Sequence, residues 1–291
     1  MPTRAELEQL AGRLRDLQAP PAAHRPLPTG WGAIDRALTP HTGPAGGERE
    51  PPTGGLPGGA IHEWFLDLEE RPAPASAPPD RDNWFAPLAL LTHLAWRTIE
   101  AGDAQDGAAG RLVVWIGRRC RVFVGAMAGL PGAAPSARTL IARSLVVNPP
   151  DGASALWAID LALRSPAVGA VVADARGLDM ACSRRLQLAA EAGGGLALLA
   201  RPARERAALS AAATRWLVRP TPARPGVWAP SARWSVELLR RKGTTGWSGP
   251  SANGGRRWIL EMNRAQGVVC VPADVADRSG EASPAPVRVS A

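Results

Sequence analysis

The sequence has no tyrosine, a single lysine (Lys242) and only three cysteines among its 291 residues. Cys120, Cys182 and Cys270 lie far apart without a CxxC spacing, which argues against a disulfide framework and against a cysteine-based zinc site. No apolar run approaches the roughly 18 residues that a membrane-spanning helix needs. The N-terminus also lacks the apolar segment of a signal peptide. We therefore expect a cytoplasmic protein with no membrane segment, no bound metal and no cofactor.

Basic residues outnumber acidic ones by 34 to 26, which gives a net charge of +8, and nearly all of the basic residues are arginine. One interpretation is a GC-rich genome, which favours arginine, alanine, glycine and proline codons. The other is a cationic surface for nucleic acid or for an acidic partner. The two interpretations are compatible. Hydrophobic residues make up 45% of the chain, which is enough for a large core.

The pattern of apolar segments divides the chain into four parts. Residues 1–26 form an N-terminal amphipathic helix and linker, because leucines recur at helical spacing between residues 4 and 17. Residues 27–210 alternate short apolar strands with amphipathic helices, which predicts an α/β fold with a mostly parallel sheet flanked by helices. Residues 211–272 contain strands without intervening helices, a pattern typical of antiparallel hairpins. The Pro- and Ser-rich residues 273–291 are predicted to be a disordered tail.

The same pattern places the individual elements. Strands are predicted in the apolar part of 54–65 and at 111–116, 144–149, 170–175, 196–200, 214–220, 232–241, 256–262 and 267–272. Helices within the α/β part are predicted at 85–101, around 121–129, at 151–165 and at 179–193.

The order of motifs resembles the opening of the RecA/KaiC-type ATPase core. LPTGWGAIDRAL at 27–38 precedes a glycine-rich turn and the strand AIHE, and AVVADA at 170–175 resembles a Walker B strand with Asp174 at its end. Three longer segments are more similar to the ImuA family of RecA-like, damage-inducible mutagenesis proteins. They are SLVVNPPDGASALWAIDLALRSPAVGAVVAD, RRLQLAAEAGGGLALLARPA and WSVELLRRKG. The resemblance covers roughly residues 27–262.

The segment that should carry the phosphate-binding loop of that core lacks its chemistry. A Walker A loop needs glycines whose N–H groups surround the phosphates, a lysine, and a Ser or Thr hydroxyl for Mg²⁺. Between Ala60 and Ala101 there is neither glycine nor lysine, and DLEERPAPASAPPDRDNW brings acidic side chains instead. We therefore expect no ATPase activity. Asp174 is either a polar residue that ends a buried strand or a degenerate Walker B position.

Two groups of basic residues are candidates for binding DNA or a protein partner. The first follows the strand at 111–116, at the expected carboxyl edge of the sheet, and consists of Arg118, Arg119 and Arg121. The second lies where a predicted hairpin would bring Arg240, Arg241 and Lys242 together with Arg256 and Arg257, with Trp247 in the connecting loop. A cationic surface with an exposed indole can hold a nucleic-acid backbone and stack on a base. The alternatives are an acidic protein partner, or arginines that only keep the hairpin end soluble.

The ImuA resemblance implies a non-catalytic accessory factor of an error-prone translesion DNA synthesis complex in the SOS response to DNA damage. It implies as partners an ImuB-like relative of the Y-family polymerases and a DnaE-type error-prone polymerase, with RecA and single-stranded DNA as further candidates. Two alternatives stay open. One is a RecA/RadA-type ATPase with an unorthodox nucleotide site, and the other is a SulA-like cell-division inhibitor, against which the RecA-like strand order argues.

Overall fold

The computed structural model describes ten stretches of the chain. They are residues 24–39, 54–68, 84–106, 111–122, 127, 130, 133–222, 232–242, 257–263 and 267–271. The predicted N-terminal helix at 4–17 and the predicted tail at 273–291 lie outside them, as do Trp247 and Arg256. Within the described residues, no helix has both the length and the apolar character needed to cross a bilayer.

The described residues contain nine strands and five α-helices. The strands are β1 (Ala60–Leu66), β2 (Leu112–Ile116), β3 (Ser144–Val147), β4 (Val168–Asp174), β5 (Leu196–Pro202), β6 (Thr214–Thr221), β7 (Arg233–Arg241), β8 (Arg257–Asn263) and β9 (Gly267–Val271). The helices are α1 (Gly32–Ala37), α2 (Leu88–Asp106), α3 (Ala133–Ala142), α4 (Gly152–Leu163) and α5 (Met180–Gly193). Short 3-10 helices span Arg118–Cys120 and Ala203–Ala207.

All nine strands form one sheet in the order β3-β2-β4-β5-β1-β6-β7-β8-β9. The first six strands in this order are parallel to one another, whereas β7, β8 and β9 each pair antiparallel with the strand before them. The predicted α/β class is therefore confirmed: a mostly parallel sheet flanked by helices, with antiparallel strands toward the C-terminus.

Two hydrophobic cores cover the two faces of the parallel strands. In β4, Ala170 and Val172 belong to one core, and Val171 and Ala173 belong to the other. Helices α1, α2 and α3 contribute to the first core, and α4 and α5 contribute to the second. Burial of both faces explains why β2, β4 and most of β5 are continuous apolar runs and do not alternate with polar residues.

The prediction of antiparallel pairing was wrong for one side of β6. This strand pairs in parallel with β1, with His62 opposite Thr214, and only its other side pairs antiparallel with β7. The alternation of arginine with apolar residues in β6 suggested a strand with one wet face. Arg215 is nevertheless buried, because an internal carboxylate binds it, so β6 is a central strand.

The edge of the sheet at β3 also differs from the sequence prediction. Helix α3, which precedes β3, was not predicted, and β3 is not covered on both faces. Leu145 and Val146 in its centre are 50% and 54% exposed. The apolar run in β3 therefore does not indicate burial within this chain.

Candidate functional site

The carboxyl ends of the parallel strands form the edge at which open α/β sheets usually bind ligands. Here β2 runs through Gly117 into the 3-10 helix Arg118–Cys120, beside the end of β4 at Asp174. Gly117 has φ +92°, and a Cβ at this position would lie 2.8 Å from the Cβ of Asp174. A glycine is therefore required for the chain to turn so close to Asp174.

Asp174 is neutralised by an arginine of its own chain. Arg119 Nη1 lies 3.2 Å from Asp174 Oδ2, and Arg119 Nε donates a hydrogen bond to the carbonyl oxygen of Trp84. The guanidinium also lies 4.9 Å from the centre of the Trp84 ring. The second oxygen, Asp174 Oδ1, is buried and has no hydrogen-bond partner within the described residues. A divalent cation at Asp174 Oδ2 would have to displace the Arg119 guanidinium.

The described residues offer no other metal or nucleophile chemistry at this edge. They contain no group of three or more His, Cys, Asp or Glu side chains that could hold a metal ion. Burial raises the pKa of the Cys120 thiol well above its usual value, and the nearby Asp174 carboxylate raises it further. A thiol with such a pKa stays protonated and is a poor nucleophile.

A buried ionic cluster on β1, β5 and β6 was not identified from the sequence. The carboxylate of Glu63, which is fully buried, lies 2.7 Å from Arg201 and 2.7 Å from Arg215, and it accepts a hydrogen bond from the Ser210 hydroxyl. Arg201 also binds Glu205 at 2.9 Å. Two carboxylates and two guanidinium groups balance one another, so the cluster has no surplus charge with which to attract an anionic ligand.

One signal in the sequence pointed to this cluster. Glu63 is the only charged residue of β1, a strand that is otherwise apolar apart from His62, and a charge in such a position needs a partner. The partners are Arg201 and Arg215, which are 138 and 152 residues away. The sequence alone did not indicate which of its many arginines they would be.

The two predicted groups of basic residues lie at opposite edges of the sheet. Arg118 and Arg121 are exposed at the carboxyl edge, as the sequence predicted. Strand β7 runs antiparallel to β6, so its last residues lie at the amino edge of the parallel strands. The backbone N–H of Lys242 accordingly donates a hydrogen bond to Ala213, directly before β6. A single compact ligand cannot contact both groups.

Most of the second group is used within the protein. Arg240 donates hydrogen bonds to the carbonyl oxygens of Ser210 and Ala212. Arg241 donates to the carbonyl oxygens of Ala37 and Thr39, and burial lowers its pKa. Arg257 forms an ion pair with Glu237, which lies opposite it in the register of β7 and β8. The ammonium group of Lys242 is exposed.

Five exposed large apolar side chains lie on β3, at one end of the described sheet, and on the helices before and after it, with Leu145 and Val146 on opposite faces of the strand. We define the β3 edge surface as the exposed apolar side chains of β3, of the end of α3 and of α4. Its members are Ile141, Leu145, Val146, Trp157 and Leu161. An edge strand has unpaired backbone N–H and C=O groups on one side, and exposed apolar side chains beside such an edge are typical of interaction sites.

Comparison with known proteins gives one relationship. No protein-family model matches the chain. Over 148 residues the chain is 34% identical to Protein ImuA of Caulobacter vibrioides, in strain NA1000 / CB15N and equally in strain ATCC 19089 / CIP 103742 / CB 15. The matched region covers 51% of this chain and 51% of each relative, so it spans about half the length of the curated relatives. The predicted resemblance to the ImuA family is confirmed.

Proposed function

Because the chain is a homologue of ImuA, we propose that it is a non-catalytic accessory factor in damage-induced mutagenesis. In this proposal it acts within an error-prone translesion DNA synthesis complex of the SOS response. Its contribution is to hold other proteins together. The observation that carries this proposal is the β3 edge surface, where the outermost of the described strands and five exposed apolar side chains offer a docking site.

The carboxyl edge supports a role without ATP hydrolysis. The segment after β1 has no glycine or lysine up to Ala101, so it lacks the groups that bind nucleotide phosphates. Arg119 pairs with the carboxylate of Asp174, the residue at the position of the degenerate Walker B motif. Isothermal titration with ATP–Mg²⁺ should give no low-micromolar binding. Binding in that range would favour the alternative of an ATPase with an unorthodox site.

We propose an ImuB-like relative of the Y-family polymerases and a DnaE-type polymerase as the partners, with RecA as a further candidate. A partner that adds a strand to β3 would satisfy the free backbone groups of the edge and would cover Leu145 or Val146. Exposed cations at Arg118 and Arg121, which follow β2 next to β3, would favour acidic surfaces or the DNA backbone near this contact.

Co-purification of the full chain with an ImuB-like protein tests this proposal. Val146→Asp should weaken the complex at least tenfold, because a carboxylate in the β3 edge surface would be desolvated by an apolar partner. Leu209→Asp is the matched control, since Leu209 is 77% exposed and precedes β6, away from β3. Wild-type protein that fails to bind, or equal binding by the two variants, would refute the role of the β3 edge. Truncation at residue 210 is unsuitable because it removes β6 from the middle of the sheet.

A further inference from the structure

A second concave site lies at the amino ends of the parallel strands, on the edge opposite Asp174. It is a cavity of about 200 Å³ bounded by the residues before β1, β2 and β5, by the start of β4 and by the later turns of α2. The lining residues that matter here are His24, Arg25, Thr98, Gly102, Arg111 and Gly169. The proposed function does not use this cavity.

The cavity is cationic. Arg25 and Arg111 both line it, and within the described part of the chain neither has a hydrogen bond or an ion pair. The described lining residues include no carboxylate. Asp103, which follows the lining Gly102, is bound by Arg143 at 2.6 Å, and the Glu191 carboxylate accepts a hydrogen bond from Gln187. Among the described residues, therefore, no carboxylate forms an ion pair with either guanidinium group.

The segment that carries Arg25 is held in place by specific contacts. Leu27 and Leu56 exchange backbone hydrogen bonds of 2.8 and 2.9 Å. His24 Nε2 donates a hydrogen bond of 2.8 Å to the carbonyl oxygen of Glu191, which fixes the imidazole at the end of α5. The imidazole fits only because Gly59 has no side chain, since a Cβ there would lie 2.1 Å from His24 Cδ2.

The stem of Arg111 is also positioned by packing. A Cβ on Gly169, at the start of β4, would lie 3.1 Å from the Cβ of Arg111 and 3.3 Å from Thr98 Oγ1. The glycine thus allows the arginine stem to pack directly against the backbone of the neighbouring strand. Positioned arginines lose less side-chain entropy when they bind an anion than freely rotating ones do.

We propose that this cavity binds a phosphate group. Guanidinium groups form paired, charge-assisted hydrogen bonds with phosphate oxygens. The volume is below the roughly 300–1,000 Å³ of typical small-molecule pockets, but it holds about six waters at roughly 30 Å³ each, enough for one phosphate with bridging waters. The group could belong to free phosphate or to a single-stranded DNA backbone, and both offer the same chemistry.

Binding of inorganic phosphate to the full chain tests this directly. The readout is isothermal titration, at constant ionic strength adjusted with sodium chloride. Arg111→Gln and Arg25→Gln should each weaken phosphate binding about tenfold or more. Arg184→Gln is the matched control, because Arg184 is an exposed arginine near the start of α5, which follows the carboxyl end of β4, and the variant should bind phosphate as the wild type does. Thermal melting in phosphate-free buffer verifies that each variant is folded.

The source of the phosphate is resolved by competition. If an oligothymidylate displaces phosphate from the wild type, and Arg111→Gln also weakens binding of the oligonucleotide, the ligand is a DNA backbone. If phosphate binds and the oligonucleotide does not compete, the ligand is a small phosphate compound. Either result supports phosphate binding in this cavity. Absence of phosphate binding at 10 mM, or an equal loss in Arg184→Gln, overturns the proposal and leaves the proposed accessory function unaffected.

Discussion

Glu63 shows how much a single residue depends on its neighbours in this protein. Its carboxylate is fully buried and is compensated by Arg201, Arg215 and the Ser210 hydroxyl. Burial lowers the pKa of Arg215, and the charge of Glu63 raises it. Removal of one member of such a cluster leaves an uncompensated charge in a low-dielectric interior, which costs about 3–5 kcal/mol.

We therefore expect Glu63→Gln to lower the free energy of unfolding by about 3–5 kcal/mol. Urea denaturation followed by tryptophan fluorescence measures the change. Arg257→Ala is the control, because Arg257 is 57% exposed and Glu237 keeps its second partner, Arg219, in this variant. Its cost in the free energy of unfolding should stay within about 1 kcal/mol. Similar costs for the two variants would contradict the buried cluster as a determinant of stability.

At the scale of secondary-structure elements, local capping explains where two helices begin. Asp151 accepts a hydrogen bond from the backbone N–H of Ser154 at the start of α4, and Asp179 accepts one from Cys182 at the start of α5. Helix α5 ends at Gly194, whose φ of +74° provides a left-handed C-cap. Both helices cover the same face of the sheet, so their start points determine how that core is packed.

The cap of α5 should produce a pH-dependent effect. The hydrogen bond from the Cys182 N–H holds the pKa of Asp179 below its usual 3.8. Its contribution to stability is therefore present above pH 3.8 and is lost as the pH falls through the lowered value. We expect Asp179→Ala to lower the urea midpoint at pH 7 and to approach the wild type below pH 3.8. Arg184→Ala, an exposed substitution in the same helix, should show no such convergence.

At the scale of the whole molecule, two buried histidines link the sheet to its surroundings. His62 on β1 contacts Thr214 of β6 and the carbonyl oxygen of Pro57. His93 on α2 donates to the carbonyl oxygen of Thr29 and stacks on Trp31 at 4.9 Å. Burial lowers the pKa of each imidazole to about 4. Both side chains are therefore neutral in the folded protein at pH 7.

These histidines predict a loss of stability in mild acid. The unfolded chain takes up their protons near pH 6.5, whereas the folded chain does so only near pH 4. Between these values, stability should fall with pH by up to about 1.4 kcal/mol per pH unit for each histidine. Urea midpoints from pH 7.5 to 5 measure this slope. His93→Gln keeps a hydrogen-bond donor for the carbonyl oxygen of Thr29 and should reduce the slope by about half. An unchanged slope would contradict the assignment of the acid sensitivity to the buried histidines.

Part of the candidate site could be predicted from the sequence. Arg118 and Arg121 follow an apolar strand, so their place at the carboxyl edge followed from the alternation of strands and helices. The pairing of Arg119 with Asp174 did not follow from it, because β2 and β4 lie side by side only in the folded sheet. The hydrogen bonds from Arg240 and Arg241 to backbone carbonyl groups could not be predicted either, because they depend on loop positions that no local sequence pattern specifies.

The amino-acid sequence by itself determined the α/β class, the succession of strands and the absence of a phosphate-binding loop, because apolar periodicity, helix caps and missing glycine or lysine are local properties. Tertiary structure alone decided that β1 lies between β5 and β6 and that β3 is the last of the described strands at one end of the sheet. It also decided that Arg25 and Arg111 line one cavity. These features join residues far apart in the chain, and burial in the assembled sheet selects such partners among many chemically equivalent arginines.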